Sequence, residues 1–171
     1  KEEFLDTLAS TDPLTRALNR RGFESAVSRL REIRHLKDKS WLFGLIVLDL
    51  DYFKQTNDTY GHSVGDRLLE KVAQVLRQAL ALRDDDLVVR LGGEEFAVLL
   101  PSATAAVTKR IAERLASMIR EIEVAVDKDG STVAKITASF GATVGGEGRQ
   151  KFVELADAMR VADRAMYEAK E

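Results

Sequence analysis

The chain reads as an α+β domain with a ferredoxin-like, split βαβ core, in which a mainly antiparallel central sheet is flanked by helices. Three observations predict this. Apolar periodicity runs in the order helix, strand, helix, hairpin, helix, strand pair, helix, and the centre of that order is β-α-β-β-α-β. Residues 42–50 are almost continuously apolar, as in a strand buried on both faces. Gly92-Gly93 divides the apolar stretch 87–100, where a glycine pair suits a two-residue hairpin turn because both tolerate positive φ.

The elements follow in order. Residues 1–10 place Phe4, Leu5, Leu8 and Ala9 on one helical face and end at the turn-like Ser10-Thr11-Asp12-Pro13. They are expected to be the end of an upstream signalling helix, with residues 11–171 forming one domain. Over 19–38, Phe23, Val27, Leu30 and Ile33 recur at helical spacing. After the strand at 42–50, the stretch Gln55 to Gly65 is rich in Asn, Asp, Thr and Gly and is expected to be a loop. Leu68, Leu69, Val72, Leu76 and Leu80 mark the next core helix. A further helix over 103–122 turns Val107, Ile111, Leu115, Met118 and Ile122 inward. Asp127-Lys128-Asp129-Gly130 separates two strand-like runs, the second from Ala134 to Val144. The last helix carries Phe152, Leu155, Ala156, Met159, Ala162, Met166 and Ala169 on one face.

Composition narrows the function classes. The 171 residues suit one domain, and 45% hydrophobic content allows a core without disulfides, which the absence of cysteine requires. With 26 basic and 28 acidic residues, the chain lacks the basic field of a nucleic-acid binder. No apolar run reaches the ~18 residues of a membrane span, and the acidic, polar opening is unlike a signal peptide. A chain that opens on Lys1 is expected to be part of something longer.

Three groups of residues carry candidate chemistry. Asp49-Leu50-Asp51 closes the buried strand, and carboxylates two apart on a strand share a side. A carboxylate there is costly unless paired or cation-bound; alone, the pair reads as readily as a solvated strand end or a salt bridge. Gly92-Gly93-Glu94-Glu95 lets the backbone approach a ligand and supplies hard oxygen donors, or is a plain hairpin with solvated acids. Neighbouring strand side chains face opposite ways, so Glu94 and Glu95 are expected to differ in role. The stretch Phe53 to Asp66 is either a long turn capped by Asn57 and Asp66 or a base-recognition loop. Guanine offers N–H groups to a carboxylate and acceptors to an amide, which an Asp–Asn pair matches. His62 has no His/Cys cluster around it, so zinc is not expected.

Taken together these motifs resemble the GGDEF family of diguanylate cyclases, over about residues 10–171. The signature is Gly92-Gly93-Glu94-Glu95-Phe96. Asp12-Pro13-Leu14-Thr15 with Asn19-Arg20-Arg21 resembles the family's opening, and Asp49-Leu50-Asp51-Tyr52-Phe53-Lys54 its metal-binding strand end. Asn57-Asp58, Gly61-His62 and Gly65-Asp66 resemble its guanine loop. Ser139-Phe140-Gly141 resembles a later strand; Ala162-Asp163, Met166-Tyr167 and Ala169-Lys170 resemble the last helix.

The resemblance implies a nucleotidyl-cyclase-like fold and condensation of two GTP into cyclic di-GMP, with release of two pyrophosphates. It implies Mg²⁺, with Mn²⁺ as an alternative, held by Asp49, Glu94 and the Leu50 carbonyl. Glu95 and Glu94 would be the catalytic acids. Asn57 and Asp66 would hold guanine; Phe53, Lys54, His62, Gly92, Gly93 and Lys170 would complete the substrate site. Arg83 and Asp86 fit the register of the family's inhibitory product site, with Arg114 contributing from a neighbouring domain; the same residues also read as a charged helix-to-strand turn. Asp84 and Asp85 add negative charge there. Because each domain would hold one GTP, a second copy must face the first, brought there by an upstream sensory or receiver domain. The domain is expected in the cytoplasm, in a protein either soluble or membrane-anchored, and without a nucleic-acid partner. Two departures from the pattern stand out: Arg16 where glycine is frequent, and no Gly-Arg-Asn after the final lysine. The rival readings are a silent module that binds GTP or cyclic di-GMP, and another nucleotidyl cyclase or polymerase-like enzyme. Intact Asp49, Glu94 and Glu95 disfavour the first; the Asn–Asp pair and the charge balance disfavour the second.

Overall fold

The structure is a computed structural model that describes residues 9–35, 42–80, 85–145 and 155–170. The expected leading helix lies outside the described residues apart from Ala9 and Ser10, which are helical. Arg83 and Phe152 also lie outside them.

The elements are α1 (Arg20–His35), β1 (Phe43–Leu50), α2 (Phe53–Tyr60), α3 (His62–Leu80), β2 (Leu87–Gly92) and β3 (Glu95–Pro101). They continue as α4 (Ala105–Arg120), β4 (Glu123–Ala125), β5 (Val133–Lys135), β6 (Ala138–Gly145) and α5 (Leu155–Lys170). The main sheet has strand order β2-β3-β1-β6, with every neighbouring pair antiparallel. This is the split βαβ arrangement: β3 inserts between β1 and β2, and β1 between β3 and β6.

β1 is central, and its alternate side chains feed two cores. Leu45 and Val47 join Phe23 and Val27 of α1 and Ala162 and Met166 of α5. Ile46, Leu48 and Leu50 join Leu68, Val72 and Leu76 of α3 and Leu115 and Ile119 of α4. That explains the uninterrupted apolar run, since each face of the strand is covered by helices. On α3 the buried residues Val64, Leu68, Val72 and Leu76 recur every fourth position, as one helical face must. The α4 start is capped by Thr104, whose side chain accepts from the Val107 N–H at 3.3 Å. On the other layer α5 lies close against β6: a Cβ on Gly141 would come within 2.6 Å of the Met166 nitrogen.

Three expected elements differ. The presumed loop at 55–65 is α2 and the start of α3, separated at Gly61 (φ 89°). Its polarity disguised it, because α2 buries only Phe53. The run Ala134 to Val144 is two strands in two sheets, since β5 pairs with β4 while β6 joins β1. The hairpin turn is Gly93-Glu94 rather than Gly92-Gly93, because Gly92 already pairs with Glu95. The register breaks between Arg90 and Gly92, so the extra residue Leu91 moves the turn one position along.

The opening segment is bound to that hairpin. The Leu18 N–H donates to the Val88 carbonyl at 3.0 Å, and the Arg90 N–H to the Leu18 carbonyl at 2.8 Å. Arg90 also donates from Nη1 to Asp12 at 3.1 Å and from Nη2 to the Gly93 carbonyl at 2.7 Å. Arg16 adopts φ 61°, the left-handed region, which accounts for glycine being frequent there.

Burial raises the Asp12 pKa, but hydrogen bonds from Thr15 and then Arg90 outweigh it and hold the carboxyl below its ordinary 3.8. A carboxyl lowered on folding stabilises above its unfolded value and ceases to do so as pH falls through the folded one. Asp12→Asn should therefore destabilise the domain at neutral pH by about 1–3 kcal/mol and lose less further stability than wild type below about pH 4. Urea unfolding across that range checks it; parallel acid limbs for the two proteins would refute it.

Candidate active site

The site forms where β1 ends. Asp49 stands opposite Glu95 of β3 on one side and opposite Ser139 of β6 on the other. Directly opposed residues of an antiparallel pair hold their Cβ atoms about 4.5–5.5 Å apart. Two carboxylates are thus side by side on the face covered by α1 and α5. The Leu50 N–H donates to the Glu94 carbonyl at 3.2 Å, which fastens the hairpin turn to β1.

The Asp49 carboxylate accepts from Lys170 Nζ at 2.6 Å, and its side chain is 14% exposed. Burial disfavours the Lys170 ammonium, but the hydrogen bond and charge of Asp49, with Asp51 and Glu94 behind it, outweigh that and raise its pKa. Asp51 accepts from Thr137 Oγ1 at 2.7 Å and Ser139 Oγ at 2.6 Å. β1 ends at Leu50, but the Asp51 N–H still donates to the Thr137 carbonyl at 2.8 Å, and the bond to Ser139, the residue opposite Asp49, keeps Asp51 on the Asp49 side. An open pocket of about 390 Å³ lies beside Lys170, lined by Asp51, Tyr52, Ser139 and Ala169.

Glu95 is half-buried, and its pKa is raised first by that burial, then by the charges of Asp49, Asp163 and Glu94, against Arg20. Arg20 Nε donates to the carbonyl of the bulged Leu91 at 2.9 Å. Arg20, Leu91, Glu95 and Asp163 also line a cavity of about 500 Å³ between α1, α5 and the hairpin.

Beyond β1 the chain turns through Tyr52, left-handed at φ 53°, into α2, whose start has no side-chain cap. The first amides of α2 are therefore available as anion donors, with Lys54 in the same turn. Phe53 is buried beneath them. Asn57 lies on α2, and His62, Gly65 and Asp66 on α3, with His62 and Asp66 exposed one helical turn apart.

One family model, described as "Diguanylate cyclase, GGDEF domain", matches residues 9–171 and so spans all of these positions. The chain belongs to the GGDEF family. Over 164 residues it is 34% identical to the probable diguanylate cyclase DgcT of Escherichia coli K12, covering 96% of this chain and 34% of DgcT. To the diguanylate cyclase DosC of the same strain it is 35% identical, covering 93% of this chain and 32% of DosC. The chain thus spans about a third of the length of these curated relatives. Among solved structures it resembles the coiled coil and GGDEF domain of DgcB from Caulobacter crescentus, in complex with c-di-GMP. That match has a TM-score of 0.82 at 28% identity, over 99% of this chain and 84% of that one. It also resembles the diguanylate cyclase SiaD from Pseudomonas aeruginosa in complex with its activator SiaC, with a TM-score of 0.80 at 35% identity, over 99% and 61% of the two chains.

Within this GGDEF domain, Asp49, Leu50, Glu94, Glu95 and Lys170 converge at the end of β1, while Asn57 and Asp66 sit on the helices that follow. The hairpin glycines have open space around them, so φ values of 148° at Gly92 and 51° at Gly93 are what call for glycine. Asp86 is half-buried just before β2 and Arg114 is exposed on α4. Sequence reasoning assigned no role to Arg20, Ser139 or Asp163, although each lies in a motif it singled out. Thr137 carried no signal at all. Among the described residues no helix is long and apolar enough to cross a membrane.

Proposed function

We propose that this domain is a diguanylate cyclase: the 3′-hydroxyl of one GTP attacks the α-phosphorus of another, pyrophosphate leaves, and a second such step closes cyclic di-GMP. The observation that carries the reading is the β1–β3 register, which sets Asp49 opposite Glu95 with Glu94 in the adjoining turn. Glu95 receives the hydroxyl proton; its raised pKa makes it a better base than an ordinary carboxylate. The α2 amides, Lys54, the Gly92-Gly93 backbone and Lys170 hold the triphosphate, and Asn57, Asp66 and His62 the base, against Phe53.

The donor set fits magnesium, or manganese in its place: two carboxylates, Asp49 and Glu94, with the Leu50 carbonyl are hard oxygens, and phosphate oxygens and water complete the shell. Asp49 already accommodates a cation, the Lys170 ammonium. When bound, the metal supplies positive charge that offsets the phosphates and favours ionisation of the hydroxyl. Incubation with GTP and Mg²⁺, followed by chromatography, tests the reaction. Cyclic di-GMP and pyrophosphate are expected; GDP alone, or no product under forced dimerisation, would refute it.

Asp66→Ala should weaken GTP binding roughly 5- to 150-fold, the cost of leaving a guanine N–H without its acceptor once the bound nucleotide covers the exposed Asp66. Calorimetry that finds wild-type affinity would remove Asp66 from the guanine site. We place the inhibitory product site at Arg83 and Asp86, with Arg114 reaching in from a neighbouring copy. Arg83→Ala should relieve inhibition by added cyclic di-GMP while leaving turnover largely intact, and equal inhibition of both proteins would discard the site. In the cell the domain works in the cytoplasm, where GTP is, under an upstream sensory or receiver domain.

A further inference from the structure

We infer that Gly65 is a positioning residue for guanine selection: its missing side chain makes the space in which the Asn57 carboxamide lies between α2 and α3. This rests on the guanine-site reading above. Gly65 is buried at the end of the first turn of α3, with a helical N–H bond to the Gly61 carbonyl at 3.2 Å. Its φ is not in the left-handed region, so the backbone there does not call for glycine, and glycine disfavours a helix interior. Space does call for it. A Cβ at Gly65 would overlap Asn57 Oδ1 outright and come within 2.8 Å of its Cγ and 3.3 Å of Phe53 Cζ. Asn57 Oδ1 is itself buried and accepts no hydrogen bond among the described residues. The amide is therefore directed by packing against Gly65 and Phe53, and packing is what a methyl group would disturb. Asn57 and Asp66 lie on different helices, so the seat at Gly65, next to Asp66, also sets one recognition group relative to the other.

A double-mutant cycle tests this by calorimetry and competition with ATP. Gly65→Ala should lose roughly tenfold or more in GTP affinity and much of its preference for GTP over ATP, raising KM more than it lowers kcat. Asn57→Ala should show the same loss. In the Asn57→Ala background, where the obstructing amide is gone, Gly65→Ala should cost nothing further. Wild-type affinity and selectivity in Gly65→Ala would overturn the inference, and so would a loss that adds in full to that of Asn57→Ala. Unchanged GTP preference in Asn57→Ala alone would instead bring down the guanine-site reading itself, and this inference with it. Should Gly65→Ala alone fail to fold, the double variant decides: it should bind GTP as Asn57→Ala does, and weaker binding overturns the proposal.

Discussion

Glu95→Gln should reduce formation of cyclic di-GMP by about 10²–10⁴-fold, the range for removing a positioned general base, while GTP still binds. The same change should raise the melting temperature. Glu95 is half-buried with Asp49, Asp163 and Glu94 around it, and their effect exceeds the opposing charge of Arg20. A carboxyl raised on folding is a group whose charged form the native state disfavours, so its ionisation at neutral pH costs stability. The amide keeps the shape and removes that charge. Loss of activity with a gain in stability is the combination a functional acid produces, and one that a structural acid does not. Product chromatography and thermal unfolding measure the two effects. Turnover within tenfold of wild type would take the proton-transfer role away from Glu95.

Forced pairing should have the other large effect. Each copy holds one set of Asp49, Glu94 and Glu95 and one Asn57–Asp66 pair, whereas the proposed reaction joins two GTP molecules. The untethered domain should therefore show specific activity that rises with enzyme concentration. A strong parallel coiled coil fused ahead of Lys1 brings two copies to an effective concentration near millimolar, worth about 10²–10⁴-fold where the geometry permits. At least one of several helical registers should show that gain. Activity that stays flat from nanomolar to high micromolar enzyme, with a monomer throughout by sedimentation, would rule out a mechanism between two copies.

Much of this architecture was legible because its physics is local. The run at 42–50 signals a doubly covered strand, and a glycine pair between apolar runs signals a hairpin; the split βαβ order then brings Asp49 and Glu95 together. What could not be read depended on single backbone events or on distance along the chain. The Leu91 bulge moves the turn by one residue, so that Glu94 lies in the turn and Glu95 opens β3. The helix α2 buries one side chain, too few to leave an apolar period. The partners of Asp51, Thr137 and Ser139, lie in a region whose two strands read as one. The role of Gly65 depends on a contact between helices that polarity had disguised as a loop.

The pairing of Asp49 with Lys170 spans 121 positions, and that separation has a meaning in time. At a synthesis rate of ~5–20 residues per second, Asp49 is made roughly 6–24 s before the lysine that will hold it. Through that interval β1 can gain β3, then β6, but the carboxylate at its end has no ammonium from α5. Lys170 reaches Asp49 only when the middle of α5, Ala162 to Met166, has settled over Gly141, and that ion pair is more non-local than the strand pairs of the sheet beneath it. A growing chain thus lacks both the α5 side of its second core, Ala162 and Met166, and the ammonium partner of Asp49 until its final helix has been made.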